Sequence, residues 1–259
     1  MTSDMEKRHL SRILDQFSKQ AVQFAELNIH LDAMGLLLEM SGVNEGDTVL
    51  DVACGPGLVA CEFARRASRV TGIDITEAMI EKARSLQNEK GLGNMEWVCG
   101  NADPLPFGDG TFSLVITRYS FHHFLEPGKA LREMIRVCAP GGRVLVADVC
   151  VREGHSDEYD RMEKMRDDSH VHALTESEFS DMFSRAGLGG LKRSGYGLDA
   201  DVESLLNASS HAPEQREQIL DMINSDTGVN NIGINARREA GRLTFTFPIA
   251  VFTGVKSIG

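Results

Sequence analysis

The sequence predicts an α/β chain wound around a mostly parallel sheet, and three observations carry that expectation. Between Thr48 and Val149, short β-branched runs alternate with helical stretches, the pattern of strands joined by crossover helices. The run Val49-Leu-Asp-Val-Ala-Cys-Gly-Pro-Gly57 leads from an apolar strand straight into a glycine turn. A chain of 259 residues with 42% hydrophobic content can bury a full core, and fits one large domain with an elaboration better than two independent ones.

Taken in order, residues 5–40 read as one or two amphipathic helices. Phe17, Ala21, Phe24, Ala25, Leu27, Leu31, Leu36 and Leu38 supply an apolar face that can cover the mouth of the sheet as a lid. Strands are expected at 48–53, 69–74, 95–99, 112–117 and 143–149, and helices at 58–67, 76–90 and 128–138. Thr76 is a plausible cap for the second helix, and Pro140-Gly141-Gly142 stops the third. Residues 152–172 are strongly charged and lack strand periodicity before a helix resumes at 176–186. A weak glycine-rich strand at 188–198 and a helical stretch at 201–224, interrupted around Ser209 to Pro213, precede a final alternating strand over 243–255. Pro248 pushes that strand toward a sheet edge or a bulge. With no repeats or low-complexity linkers, the whole of 1–259 reads as one domain: a helical lid at 1–44, a core at 45–150, a substrate-side elaboration at 151–240 and a terminal strand at 241–259.

Composition narrows the partners. A formal net charge of −11 disfavours phosphate backbones and anionic membranes, so no nucleic acid is expected. No apolar run approaches the roughly 20 residues of a membrane span, and Met1 to Asp15 is too charged for a secretory signal, so a cytoplasmic protein is expected. The five cysteines lie far apart with no C-x-x-C pair, and the histidines and acids show no ligand spacing, so no metal site is expected.

The chemistry starts at Asp51, an acid near the end of an apolar strand that needs a cationic or donor-rich partner if buried. Gly55-Pro-Gly57-Leu-Val-Ala60 fits a loose dinucleotide fingerprint and by itself leaves the nucleotide-like ligand open. Asp74 ends the next strand, where it can accept two hydrogen bonds from a ribose diol or cap the helix that follows.

The segment Gly100-Asn-Ala-Asp-Pro-Leu-Pro-Phe-Gly-Asp-Gly-Thr-Phe112 narrows the choice. Together with VLDVACGPG (49–57), GIDIT (72–76) and RVCAPGGRVLVAD (136–148), it resembles the class I S-adenosylmethionine-dependent methyltransferases. Within them the chain is similar to the methyltransferases of ubiquinone and menaquinone biosynthesis and their small-molecule relatives. The resemblance covers roughly residues 45–150. It implies a Rossmann-like, doubly wound, seven-stranded, mostly parallel sheet with an antiparallel last strand, an N-terminal helical lid and a C-terminal helical insertion. It also implies a methyl acceptor that is a small organic molecule, methylated on oxygen, carbon or nitrogen by in-line transfer.

Carried over by residue, the resemblance implies that Asp51 lies near the cofactor's ammonium group, with Ala53, Gly55 and Gly57 along its methionine part. Asp74 would hold the ribose, Ile75 and Met79 would sandwich the adenine, and Asn101 with the Ala102 N–H would read its polar edge. Asn101 stands where the family usually has Asp, and an amide oxygen can accept the same bond. Thr117 would offer backbone groups near the sulfonium. Thr117-Arg-Tyr-Ser-Phe-His122-His123-Phe resembles the family's aliphatic-His-His motif, with Phe121 in place of Leu. A neutral imidazole can take a proton from a hydroxyl or an activated carbon. Adjacent residues point apart, so His123 is assigned to the substrate side and His122 to the cofactor side, as the two catalytic candidates.

Asp167-Asp-Ser-His170-Val resembles a segment of relatives and offers His170 to the cavity. Phe24 stands where relatives often carry Tyr. Arg118, Tyr119, Arg166, Arg237 and Arg238 are further candidates to face an anionic or aromatic substrate. Three alternatives stay open: a protein that binds S-adenosylmethionine for a regulatory or non-methylating role, an RNA methyltransferase, which would need a basic face, and an NAD-dependent oxidoreductase, in which the Asn101-Ala102 region and Pro140-Gly-Gly have no job.

Overall fold

The computed structural model describes residues 4–26, 33–209 and 211–258. Two helices come first, α1 (Asp4–Glu26) and α2 (Met34–Ser41). The alternating core follows as β1 (Thr48–Val52), α3 (Leu58–Ala64), β2 (Arg69–Asp74), α4 (Glu77–Lys90), β3 (Met95–Cys99), β4 (Phe112–Arg118), α5 (Pro127–Val137) and β5 (Cys138–Val149). A short 3-10 turn at Phe121–His123 lies between β4 and α5. Then come α6 (Ser156–Arg166), α7 (Glu176–Arg185), β6 (Gly189–Asp201), α8 (Val202–Asn207), α9 (Pro213–Asp226), β7 (Arg237–Glu239) and β8 (Arg242–Val255). Of the apolar face expected at the N-terminus, Leu27 and Leu31 lie outside the described residues, as do the side chains of Ala21, Phe24 and Ala25.

The sheet runs in the order β3-β2-β1-β4-β5-β8-β6, with β7 pairing on β8 off that path. It therefore has eight strands rather than the seven expected. Seven form the expected path, and the eighth is a three-residue hairpin arm whose register sets Arg237 opposite Thr244. The pairs among β1 to β5 are parallel, and β8 is antiparallel to both β5 and β6. Chain direction reverses its winding between β1 and β4, so a crevice opens beyond their carboxyl ends.

Alternation within the strands feeds two layers. On β1, Val49 packs with Leu37, Phe63 and Leu114 under α2 and α3, while Leu50 and Val52 pack with Leu131, Met134 and Phe179 under α5 and α7. On β5, Val144 and Val146 join the second layer and Leu145 and Ala147 the first. A third cluster, around Tyr159, Met162, Val202, Ile219, Ile223 and Phe245, joins α6, α8 and α9 to the far ends of β6 and β8. Buried apolar faces on both sides of one sheet are what a doubly wound chain must make.

Local chemistry moved several boundaries. The helix expected over 58–67 ends at Ala64, and α5 ends at Val137 because Cys138 already pairs with Phe112. Pro140-Gly141-Gly142 forms a bulge inside β5, where the register jumps between the Phe112 and Leu114 pairings. Thr76 occupies the N-cap of α4 without a side-chain cap bond, and Asp74 takes over by accepting from the Thr76 N–H at 2.9 Å. Pro248 sits in an interior strand, not an edge strand, but one residue beyond the last β5 pairing, Val149 with Ile249. Its carbonyl accepts from Cys150 N at 2.8 Å on that side, so the missing N–H falls where the ladder has ended.

The half-buried ring of Trp97 on β3 is held by its Nε1–H donating to Gln87 Oε1 at 2.7 Å. It lies against bare backbone at Gly72 on β2 and at Gly57, where a Cβ would stand 2.7 Å from the ring. Gly72→Ala is expected to lower stability by about 1–3 kcal/mol through overpacking. A reduced urea midpoint, partly recovered by adding Trp97→Leu, checks it; an unchanged midpoint refutes the Trp97 packing.

Candidate functional site

The turn after β1 approaches the crevice with bare backbone. Ala53, Gly55 and Gly57 have φ of 54°, 52° and 83°, and Tyr119, just past β4, has φ 57°. For Ala53 and Tyr119 this left-handed conformation is uncommon, and such outliers gather where a site dictates the backbone. They stand at the ends of the two strands that flank the crevice.

Three acids of the strand ends meet there. Asp74 accepts from Gly55 N at 2.8 Å with Oδ2 and from Thr76 N at 2.9 Å with Oδ1, so it ties the first turn to the second. Burial still pushes its carboxyl up against those amides. A carboxylate has lone pairs to spare for further donors. Asp148, buried in β5, accepts from Ser120 N (2.8 Å), Phe121 N (2.6 Å) and Val149 N (2.7 Å), and His122 Nδ1–H donates to it at 2.5 Å. Burial raises the Asp148 carboxyl, but His122 and these amides outweigh it and hold the group below the ordinary carboxylate range. Asp51 is different. It is 1% exposed, its Oδ2 has no hydrogen-bond partner among the described residues, and burial pushes its carboxyl up to about 7, with Arg118 only partly offsetting.

The two histidines diverge as sharply. Burial depresses His122, but the Asp148 carboxylate more than compensates, so its imidazole holds a proton more tightly than usual. His123 is pushed down to about 3 by burial and by His122 beside it. Its Nδ1 lies 3.2 Å from the Ser169 carbonyl, which can only accept, so Nδ1 carries the proton and the ring is neutral. Its backbone carbonyl accepts from His9 Nε2 at 2.7 Å, and Phe17 meets its ring edge-on at 5.1 Å, so α1 is fastened over this turn.

A cavity of about 580 Å³ joins these groups. Of the residues expected at the site, Asp51, Ala53, Gly55, Asp74, Ile75, Met79, Asn101, Ala102, His122 and His123 line it. Gly57 and Thr117 are not among its lining residues. Gly57 is occupied with Trp97 and Ala83, while Thr117 Oγ1 donates to Val52 O at 2.6 Å and backs the wall. Arg118, Tyr119 and Arg166 line the cavity, whereas Arg237 pairs with Glu239 and Asp199 and Arg238 bonds Asn224 elsewhere. His170 is held by Asp160 at 2.7 Å outside the lining, and its Nδ1 has no hydrogen-bond partner among the described residues. Among the described residues, no group of three or more His, Cys, Asp or Glu is placed to hold a metal, and no helix is long and apolar enough to cross a membrane.

Sequence reasoning passed over Asp148, Tyr159 and Glu163. Asp148 carried the signal already used for Asp51 and Asp74, an acid closing an apolar strand. Glu163 and Arg166 carried another, opposite charges three apart on one helix.

Fold and site together define an α/β enzyme that receives a nucleotide-like ligand at the carboxyl edge of its sheet. Residues 50–146 match the family described as a methyltransferase domain. Along 93% of its length the chain is 29% identical to the uncharacterized methyltransferase YcgJ of Bacillus subtilis (strain 168), covering 97% of that protein. The crystal structure of YcgJ superposes with a TM-score of 0.81 at 27% identity, over 89% of this chain and 100% of that one. A putative methyltransferase of Bacillus halodurans C-125 follows at 0.79 and 28% identity, over 86% and 98%. UbiE of Escherichia fergusonii, a ubiquinone/menaquinone biosynthesis C-methyltransferase, is 41% identical over 115 residues, and the match spans 43% of this chain and 46% of UbiE. Residues 50–146 thus match a methyltransferase domain, and the chain is similar along nearly its whole length to proteins named as methyltransferases.

Asp148→Asn isolates the dyad. In the wild type, His122 is expected to titrate above the ordinary 6.5, and in the variant lower than in the wild type, because burial is then opposed only by the carboxylates of Glu163 and Asp167. A raised histidine contributes stability that is full below 6.5 and is lost as pH rises through its folded pKa. That dependence should weaken in the variant, where the pKa of His122 is lowered. Ring-proton NMR of His122 and urea midpoints against pH check both.

Proposed function

We propose that the chain transfers a methyl group from S-adenosylmethionine to a small organic acceptor, in line, at an oxygen, carbon or nitrogen atom. The observation that carries this reading is the Oδ2 of Asp51, a buried carboxyl oxygen with no hydrogen-bond partner among the described residues, in a cavity that His122 also lines. The residues present fit the cofactor: Asp51 would meet its cationic amine, Asp74 its ribose, Ile75 and Met79 its adenine faces, and Asn101 with Ala102 the base edge. When bound, S-adenosylmethionine supplies a methyl group on a cationic sulfur that departs as a neutral thioether.

What remains for the protein is to hold the acceptor, exclude water and take its proton. His122 is suited to the last task. Its Nδ1–H is committed to Asp148, so Nε2 carries the lone pair, and the imidazolium formed when it takes the acceptor's proton rests against a buried carboxylate. His123, neutral and hard to protonate, shapes the wall beside it. This gives His122 the acceptor-side role that spacing alone had assigned to His123. The likeness to UbiE, named a C-methyltransferase, supports carbon as one acceptor atom that the same base serves.

Calorimetry is expected to show binding of S-adenosylhomocysteine and none of NAD. A cation binds only the ionised form of Asp51, so affinity should fall by roughly tenfold per pH unit below 7. Asp51→Asn should remove that dependence, and NAD binding alone would sink the reading. His122→Ala should slow S-adenosylhomocysteine formation with a cell-extract acceptor pool by roughly a hundredfold or more while leaving cofactor affinity within a few-fold. Undiminished turnover would refute the assigned base.

A further inference from the structure

The acceptor end of the cavity lies outside the matched domain, on α6, α8 and the distal strands. Val149, Leu198, Leu205, Phe247 and Ile249 give it apolar walls; Glu163 and Arg166 on the last turn of α6 and Asp167 just beyond it are set into them, and Asp201 at the start of α8 and Arg118 at the end of β4 also line the cavity. Both oxygens of Glu163 are taken by Arg166: Nε donates to Oε1 at 3.0 Å and to Oε2 at 3.1 Å, and Nη2 donates to Oε2 as well. The two side chains are 3% and 13% exposed. Arg166 Nη1 reaches Ser209 Oγ at 3.3 Å, fastening α6 to the end of α8. Asp167 accepts from Ser169 N at 2.8 Å and Ser169 Oγ at 2.5 Å.

Resting on the methyl-transfer reading, we infer that this end of the site selects an uncharged, largely apolar acceptor bearing a hydroxyl group, and that the Glu163–Arg166 pair is what excludes charged ones. A carboxylate or phosphate entering here would compete with Glu163 for Arg166 and leave a buried acid without its counter-ion. An ammonium would compete with Arg166 for Glu163 and strand a buried guanidinium in the same way. A hydroxyl displaces neither, and can give its proton to His122 while the apolar body occupies the wall. Fork-on-carboxylate geometry also fixes both partners, so the pair is a rigid boundary of the pocket and not a mobile surface ion pair.

Matched naphthalenes separate the cases. With the protein saturated by S-adenosylhomocysteine, 1-naphthol is expected to bind in calorimetry at least tenfold more tightly than 1-naphthoate or 1-naphthylmethylammonium. Glu163→Gln uncovers the guanidinium and should improve 1-naphthoate at least tenfold; Arg166→Gln should do the same for the ammonium. Where a single variant does not fold, the wild-type ranking and the charge-neutral Glu163→Gln/Arg166→Gln double variant decide, the double variant being expected to lose at least tenfold of the preference for 1-naphthol over both charged probes; an undiminished preference overturns the role of the pair. A charged probe binding wild type as tightly as 1-naphthol overturns the inference. So does the failure of every naphthalene to bind a protein that still takes S-adenosylhomocysteine, which leaves methyl transfer standing. Failure to bind S-adenosylhomocysteine overturns the methyl-transfer reading itself, and this inference with it.

Discussion

A buried carboxylate has to find donors, and the carboxyl edge of this sheet is organised by how three of them do so. Asp74 spends its oxygens on two turn amides and thereby locks the loop after β1 to the loop after β2. Asp148 gathers three amides and an imidazole, which fixes the 3-10 turn and presents His122. Asp51 keeps one oxygen without a partner among the described residues and has its carboxyl raised in consequence. Two acids thus build the site, and the third is left at a cost that a cationic ligand can repay. That asymmetry is a stronger sign of ligand binding than the glycine turn alone, because glycine turns also serve simple strand-to-helix connections.

The backbone carries a matching constraint. Ala53 and Tyr119, both non-glycine residues at positive φ, end the adjacent strands β1 and β4. Each conformation is held by its surroundings: Cys54 N donates to Ile73 O at 3.0 Å, and Tyr119 N to Ala147 O at 2.9 Å, while the Tyr119 hydroxyl meets that of Tyr196 at 2.7 Å. The strain is thereby paid by the rigid sheet. Over this floor α1 contributes His9, Leu10, Ile13 and Phe17 to the cavity, and its bond from His9 to the His123 carbonyl couples the cover to the 3-10 turn.

The core was legible because its local and tertiary demands agree. β1, β2, β4 and β5 are rich in β-branched residues, Asp51 and Asp74 stand next to or at the ends of β1 and β2, and helices alternate with the strands, so pattern and fold point the same way. The rest depended on partners distant in sequence. Arg237, Arg238 and Glu239 have no strand pattern and become β7 only because β8 runs past them. Helix α6 was hidden in a strongly charged stretch without strand periodicity because its buried face includes Asp160 and Glu163, whose burial makes sense only with His170, His172 and Arg166 in place. The Gly57 turn looked like a ligand cradle, and the close approach of Trp97 explains that glycine without any ligand.

This split in legibility follows a split in work. The groups proposed for the cofactor stand on strands and turns whose hydrogen bonds are mutual, so changing one disturbs the others. The proposed acceptor end is made of side chains on α6, α8, β6 and β8 that meet through packing and a few side-chain hydrogen bonds, with the Glu163–Arg166 pair internal to α6, and a substitution there alters charge or shape without unlinking the sheet. Acceptor choice can therefore vary while the methyl-donor machinery stays fixed. In this chain the combination is specific: an imidazole anchored on β5 by Asp148, beside walls in which Arg166 of α6 is already neutralised by Glu163 of the same helix.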